Sequence, residues 1–212
     1  MTRQTARVHV EPITPAQVRT RLVDRIAVLG PRPRVLIDGW SVTDPLALAT
    51  ELVEPLRVAG RPAVVVRGLD FLRPASVRWE FGRDDPDALL DVALDSGALI
   101  REVLDPWEAG TAYLPALWDA AQDRSARRRT EPVPENGVLL LAGELLLGRW
   151  LPTDLTVHLA LRPDMLARRL PTDQHWQLAA DTRYRAEVDP EATADVVIRV
   201  DHAHRPGWVL ER

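Results

Sequence analysis

The sequence contains no lysine: all 27 basic residues are arginines, so no side-chain amine can form a Schiff base or grip a phosphate as a point charge. An arginine-biased composition would still leave a required lysine in place at an active site, so total absence excludes lysine chemistry. There is no cysteine either, which removes disulfides, thiolate nucleophiles and cysteine metal sites together. No apolar run approaches the roughly 20 residues that span a bilayer. The polar, alternating stretch from Met1 to Pro12 offers no membrane signal, so no membrane partner and a cytoplasmic location are expected. Charge of one sign is also lacking. The net charge is −4 and the pI about 5.8, and the basic run from Arg124 to Arg129 has no interleaved aromatics, so nucleic acid is not an expected partner.

What remains is a 212-residue chain, 46% hydrophobic and 27% charged, long enough to bury a sizeable core as a single domain. Eighteen prolines imply many defined turns, and seven tryptophans supply large apolar anchors. Of the five histidines, His202 and His204 with Asp201 lack further ligands at metal-binding spacing, and His158 alternates within an apolar run as a satisfied residue. No metal site is expected.

Thr14-Pro15-Ala16-Gln17 carries a cap and an N-terminal proline, followed by Val18, Leu22, Ile26 and Leu29 at helical spacing, which predicts a helix over 14–29 in an N-terminal region covering 1–33. Val35 to Ile37 reads as a buried strand, Asp44 to Ala59 as a helix, and Ala63 to Val66 as the next strand. A second helical region covers 85–104, opening on Asp85-Pro86. Residues 105–136 are polar and proline-bearing, a long connection. Further strands are predicted at Val138 to Leu141, Thr156 to Leu161 and Asp195 to Val200, with a short helix from Arg162 to Leu170 inside a lid-like segment at 162–187. Strands separated by helices, without hairpin signals, predict an α/β fold with a doubly wound parallel sheet. Ligands in such folds sit beyond the carboxyl ends of the strands.

The most informative stretch follows the first of these strands. Gly39-Trp40-Ser41-Val42-Thr43-Asp44-Pro45-Leu46 has the strand–loop–helix framework of G-x-x-x-x-G-K-[ST], the phosphate-binding loop, with its phosphate-binding residues replaced. Asp44 brings a carboxylate, Pro45 has no N–H to donate, and Leu46 has no oxygen for Mg²⁺. Each change opposes the original chemistry, so neither ATP nor Mg²⁺ is expected as a cofactor.

Other segments extend the pattern in order: Ile37-Asp38-Gly39, Asp70-Phe71-Leu72-Arg73-Pro74, Arg78 through Gly82-Arg83-Asp84-Asp85-Pro86, Val138-Leu139-Leu140-Leu141-Ala142-Gly143, and Tyr184 with Glu187-Val188-Asp189-Pro190 and Ala194-Asp195-Val196-Val197-Ile198. Over residues 34 to 202 the chain resembles the uridine kinase group of P-loop nucleoside kinases, in its divergent actinobacterial form. The resemblance implies a P-loop kinase sheet with helices on both faces. It also implies that Asp70 lies near the substrate hydroxyl as base or orienter, although a turn-capping role suits the same residue. The acidic residue that the group carries after the third strand is Ala142 here, and Glu144 stands two residues on as a substitute acid or a solvated carboxylate. Arg73, Arg78, Arg83 and Asp84 form the best retained polar patch, able to clamp an anion or to pair internally with neighbouring aspartates. Tyr113, Arg169, Arg183 and Tyr184 are further candidates for ligand contact.

Three classes of function follow. The first is a pseudokinase that binds a small molecule or a protein partner in the former acceptor cleft, its P-loop remnant being Gly39, Ser41, Thr43, Asp44, Pro45 and Leu46. The second is a repurposed enzyme acting on an anionic small molecule, with Asp70 and Glu144 as acid and base, or a nucleoside kinase with an atypical phosphate site. The third is a structural subunit, as a homodimer or a kinase partner, anchored by exposed tryptophans.

Overall fold

The computed structural model describes residues 9–202 and 204–210. In chain order its elements are β1 (Val10–Pro12), α1 (Pro15–Ala27), β2 (Arg34–Asp38), α2 (Pro45–Val58), β3 (Ala63–Arg67), α3 (Ala75–Arg78), α4 (Ser96–Leu99), α5 (Asp105–Ala109), the two-residue strands β4 (Ala112–Tyr113), β5 (Trp118–Asp119), β6 (Arg124–Ser125) and β7 (Glu131–Pro132), then β8 (Val138–Gly143), β9 (Leu155–Ala160), α6 (Pro163–Arg169), α7 (Gln177–Glu187), α8 (Pro190–Thr193), β10 (Val196–Arg199) and β11 (Gly207–Val209).

Seven strands make the central sheet in the order β1-β11-β10-β9-β2-β8-β3. Five consecutive strands, β10, β9, β2, β8 and β3, run parallel. Their sequences are near-continuous apolar runs because helices cover both faces. Alternate residues therefore enter two different cores. Val35 and Ile37 of β2 with Val138 and Leu140 of β8 pack under Leu22 and Ile26 of α1 and Leu52 and Leu56 of α2. Leu36, Leu139 and Leu141 point to the opposite core, with Phe71, Leu99, Trp107 and Tyr184. Fully burying leucines such as Leu52 and Leu56 contributes about 1.5–3 kcal/mol each.

The helix over 14–29 forms with its predicted cap: Gln17 N donates to Thr14 Oγ1 at 3.2 Å, and Thr14 N donates to Gln17 Oε1 at 2.8 Å, a reciprocal capping box. The expected α/β sheet forms and is mostly parallel, with β11 antiparallel to both β10 and β1 at one side. Two expectations are corrected. The helical region over 85–104 opens as predicted, with Asp85 Oδ1 accepting from Asp87 and Ala88 N–H, but it is interrupted at 93–95. There the backbone bonds sideways instead, Arg73 N to Ala93 O and Asp95 N to Phe71 O, and Asp95 then caps α4 through Ala98 N. Both flanking stretches, Ala88–Val92 and Ile100–Leu104, are π-helical turns. Finally, the connection over 105–136 is structured: α5 is followed by two small antiparallel pairs, β4 with β7 and β5 with β6. The lid-like segment at 162–187 contains α6, a 3₁₀ turn at Thr172–Gln174 and α7.

Candidate functional site

Strands β2, β8 and β3 end side by side, at Asp38, Gly143 and Arg67, and the loops that leave them surround a cavity of about 490 Å³. The β2–α2 loop leads from the strand end into the first turn of α2. Gly39 is required there, since a Cβ would stand 2.5 Å from Thr43 Oγ1 and 2.9 Å from Leu159 Cβ. Its N–H donates across the strand ends to Gly143 O at 3.1 Å. Asp44, at the position of the motif's second glycine, adopts a left-handed backbone (φ 55°, ψ 61°), a conformation glycine takes at little cost.

In a working loop, successive N–H groups converge on phosphate oxygens. Here they are committed to the chain itself. Ser41 N donates to Glu144 Oε1. Thr43 N donates to Trp40 O at 2.7 Å, and Asp44 N to Ser41 O at 2.9 Å. Ala47 N, in the first turn of α2, donates to the Asp44 carboxylate at 2.9 Å, and Pro45 has no N–H. Two carboxylates thus occupy donors that the loop would otherwise turn toward an anion. Burial pushes the Glu144 carboxyl above the usual range, against the Ser41 hydrogen bond that lowers it, and the nearby Asp38 adds to the rise.

Beneath the loop lies a buried network that sequence reasoning missed. Asp38, fully buried, receives Leu146 N at 2.8 Å, lies 2.7 Å from His158 Nδ1, and accepts from the Tyr184 hydroxyl at 3.1 Å. Burial above all, with Asp38 beside it, pushes the Tyr184 phenol far above its ordinary value, so it stays a neutral donor. A second link joins the lid to the loop: Trp40 Nε1 donates to Asp181 Oδ1 at 2.7 Å, and Arg185 Nε donates to Asp181 Oδ2 at 2.7 Å. Helix α7 is thereby fastened to the loop by Tyr184 and by Asp181. The signal was available: a carboxylate ends an otherwise apolar strand, and a buried charge there needs donors.

The sequence-predicted residues divide. Ser41, Asp44, Pro45, Leu46, Arg78, Arg83 and Glu144 line the cavity. Asp70 is not among its lining residues; its carboxylate is gripped by Arg67, from Nε at 2.7 Å and Nη2 at 2.5 Å. Arg73 is exposed and contributes its carbonyl to Arg78, and Asp84 is exposed without lining the cavity. Tyr113 is a core residue packed edge-on against Trp107, its phenol pushed up to about 12 by burial and by Glu131. Arg169 donates to the carbonyls of Val200 and Asp201, and Arg183 pairs with Asp87, Asp91 and Glu187; neither lines the cavity. Tyr184 serves the buried network and not the cavity wall.

The cavity holds other side chains of consequence. Both Arg78 and Arg83 lie over the Trp79 ring, at 4.8 and 4.4 Å from guanidinium carbon to centroid. Arg149 donates to the carbonyls of Leu145 and Leu90, and burial lowers its guanidinium below the ordinary value. Leucines 46, 69, 72, 89, 94 and 145 supply most of the remaining wall.

No known protein family matches the sequence, and no curated protein is similar to it. Solved structures are similar in fold. A protein named as a possible uridine kinase from Bacillus stearothermophilus superposes with a TM-score of 0.69 at 21% identity, covering 86% of this chain and 98% of that one. A protein from Silicibacter sp. TM1040 named as a candidate fructose transport system kinase gives 0.62 at 21% identity, over 87% and 98%. The YGR205w protein gives 0.57 at 10% identity, over 92% and 97%. The chain shares the fold of these proteins, a mostly parallel sheet between helices, as the sequence resemblance implied.

Proposed function

We propose that this chain is a uridine-kinase-like protein whose P-loop has been turned inward, a pseudokinase that binds a small molecule in the former acceptor cleft without ATP-dependent phosphoryl transfer. The observation that carries the reading is the pair of carboxylates on the loop: Glu144 on Ser41 N and Asp44 on Ala47 N. A triphosphate placed there would meet like charge at the point where a kinase concentrates positive potential. Neither lysine nor a hydroxyl at Leu46 compensates. The residues present do not fit ATP with Mg²⁺, and no catalytic step is assigned to that group.

A ligand-binding role is supported by the cavity's size, which falls within the range of small-molecule sites, and by its apolar wall with a few convergent charges. The acid–base reading is weakened by Asp70, whose carboxylate is occupied by Arg67 and stands outside the cavity wall. The interface reading is weakened by the tryptophans: Trp40, Trp107 and Trp208 are buried, and Trp150 alone is almost fully exposed, at 94%.

Calorimetric titration with ATP and ADP in the presence of Mg²⁺, beside an assay of ADP formation from ATP with and without uridine and cytidine, tests the proposal. The expected result is neither nucleotide binding nor turnover. Mg²⁺-dependent ATP hydrolysis or nucleoside phosphorylation by the purified chain would overturn it.

A further inference from the structure

The proposed function leaves the ligand's chemistry open, and the cavity wall carries information about it. Among the described residues, two polar side-chain atoms of the wall residues are buried without a hydrogen-bond partner: Arg78 Nη2, a donor, and Gln177 Oε1, an acceptor. Buried polar atoms are rarely left so, and a partner from outside the chain satisfies them at the least cost. The nearest carboxylate to Arg78 is Asp123, at 3.8 Å, too far for a hydrogen bond. Arg83 makes no ion pair among the described residues; its one described contact is with Trp79.

The other charges of the wall are spoken for. Arg67 is neutralised by Asp70, Asp44 and Asp85 accept backbone N–H groups, and Arg149 donates to carbonyls. Arg83, with no ion pair among the described residues, and Arg78, whose carboxylate partner Asp123 is 3.8 Å away, are therefore the wall guanidiniums least committed to the chain. Both stack on one tryptophan, Trp79, and each presents a planar fork of the kind that suits a bidentate carboxylate. A phosphate dianion suits the wall poorly, since the carboxylates of Asp44, Asp85 and Glu144 line the same cavity and the N–H groups of Ser41, Thr43, Asp44 and Ala47 are already taken. A single negative charge on an apolar body matches two guanidiniums, a leucine wall and Trp176.

We propose that the cavity binds a small organic carboxylate: its carboxylate on Arg78 and Arg83, its apolar body, of aromatic size, against the leucine wall, and one N–H or O–H donor on Gln177. This rests on the reading of the cleft as a ligand site, and it adds the ligand's class.

The test is calorimetric titration of the full chain with 4-aminobenzoate, benzoate, 4-aminobenzamide, inorganic phosphate and Mg²⁺-ATP. We expect 4-aminobenzoate to bind at least about tenfold more tightly than its uncharged amide, and phosphate not to bind. Arg83→Gln, at an exposed side chain that does not threaten the fold, should weaken 4-aminobenzoate by about tenfold. Gln177→Leu should erase its preference over benzoate. Equal binding of acid and amide, tighter binding of phosphate, or no binding of either benzoate at millimolar concentration would each overturn the proposal. The ATP arm separates the two claims: carboxylate binding together with ATP binding keeps this inference and ends the pseudokinase reading, whereas binding of neither ends this inference alone.

Discussion

Replacing Asp44 separates the two things this residue does. Its carboxylate caps α2 through Ala47 N, and its backbone sits in the left-handed region that the loop imposes. Asp44→Ala loses the cap, about 1 kcal/mol, and puts a methyl side chain into a backbone conformation that costs about 1 kcal/mol more than it costs aspartate. The expected loss is about 2 kcal/mol. Asp44→Gly also loses the carboxylate, yet glycine at a cap costs only a few tenths and relieves the backbone, so its expected change is under about 0.5 kcal/mol. For a chain of this length each kcal/mol moves Tm by about 2–4 °C. Urea unfolding followed by tryptophan fluorescence, with a thermal scan beside it, should therefore place Asp44→Gly near the parent and Asp44→Ala about 4–8 °C below it. Equal destabilisation of the two variants would refute the backbone half of the reasoning. An unchanged Asp44→Ala would refute both halves.

Three further outcomes are expected. Gly39→Ala should cost about 1–3 kcal/mol, because its Cβ meets Thr43 Oγ1 and Leu159 Cβ, while Gly30→Ala, with nothing within 4 Å, should be close to neutral; equal denaturation midpoints for the two would contradict the packing argument. Glu144 has a folded-state pKa raised above its unfolded value, so the stability it contributes is present at acid pH and lost as pH rises through the raised value; Glu144→Gln, which does not titrate, should gain Tm relative to the parent between pH 4 and pH 8, and a gap that narrows with pH would count against it. A double-mutant cycle of Trp40→Phe and Asp181→Ala should return a coupling of about 1.5–3 kcal/mol, and a value below about 0.5 kcal/mol would mean that the lid is not held through this bond.

The parallel core of the fold was legible because its strands are short apolar runs and its first helices carry caps and prolines at their starts. The edge strands β1 and β11 were not, since three residues with one buried face give no periodicity to read. The break at 93–95 was hidden for a related reason: Ala93, Leu94 and Asp95 suit a helix, and only the distant backbone of Phe71 to Arg73 draws them away. At the site, the residues Asp44, Pro45 and Leu46 at the loop's end could be read directly, because that stretch is local in sequence. What that stretch hid is where the loop's donors went. Glu144 and Asp181 lie 103 and 141 residues from their loop partners, and spacing along the chain carries no trace of such meetings. Arg73, Arg169 and Arg183 were chosen by charge and by their place in the resemblance; carbonyls hold Arg169 and carboxylates hold Arg183, while Arg73 is exposed.

The inward-turned loop also has an evolutionary consequence. The Asp44 carboxylate caps α2 and so contributes to stability independently of any catalysis. A single reversion to lysine at Pro45 would give up the favoured first residue of the helix while the phosphate position stayed blocked by two acids. A lysine introduced at Pro45 alone would therefore cost stability before it offered any phosphate contact, whereas a change at Asp44 to glycine or at Glu144 to glutamine would not.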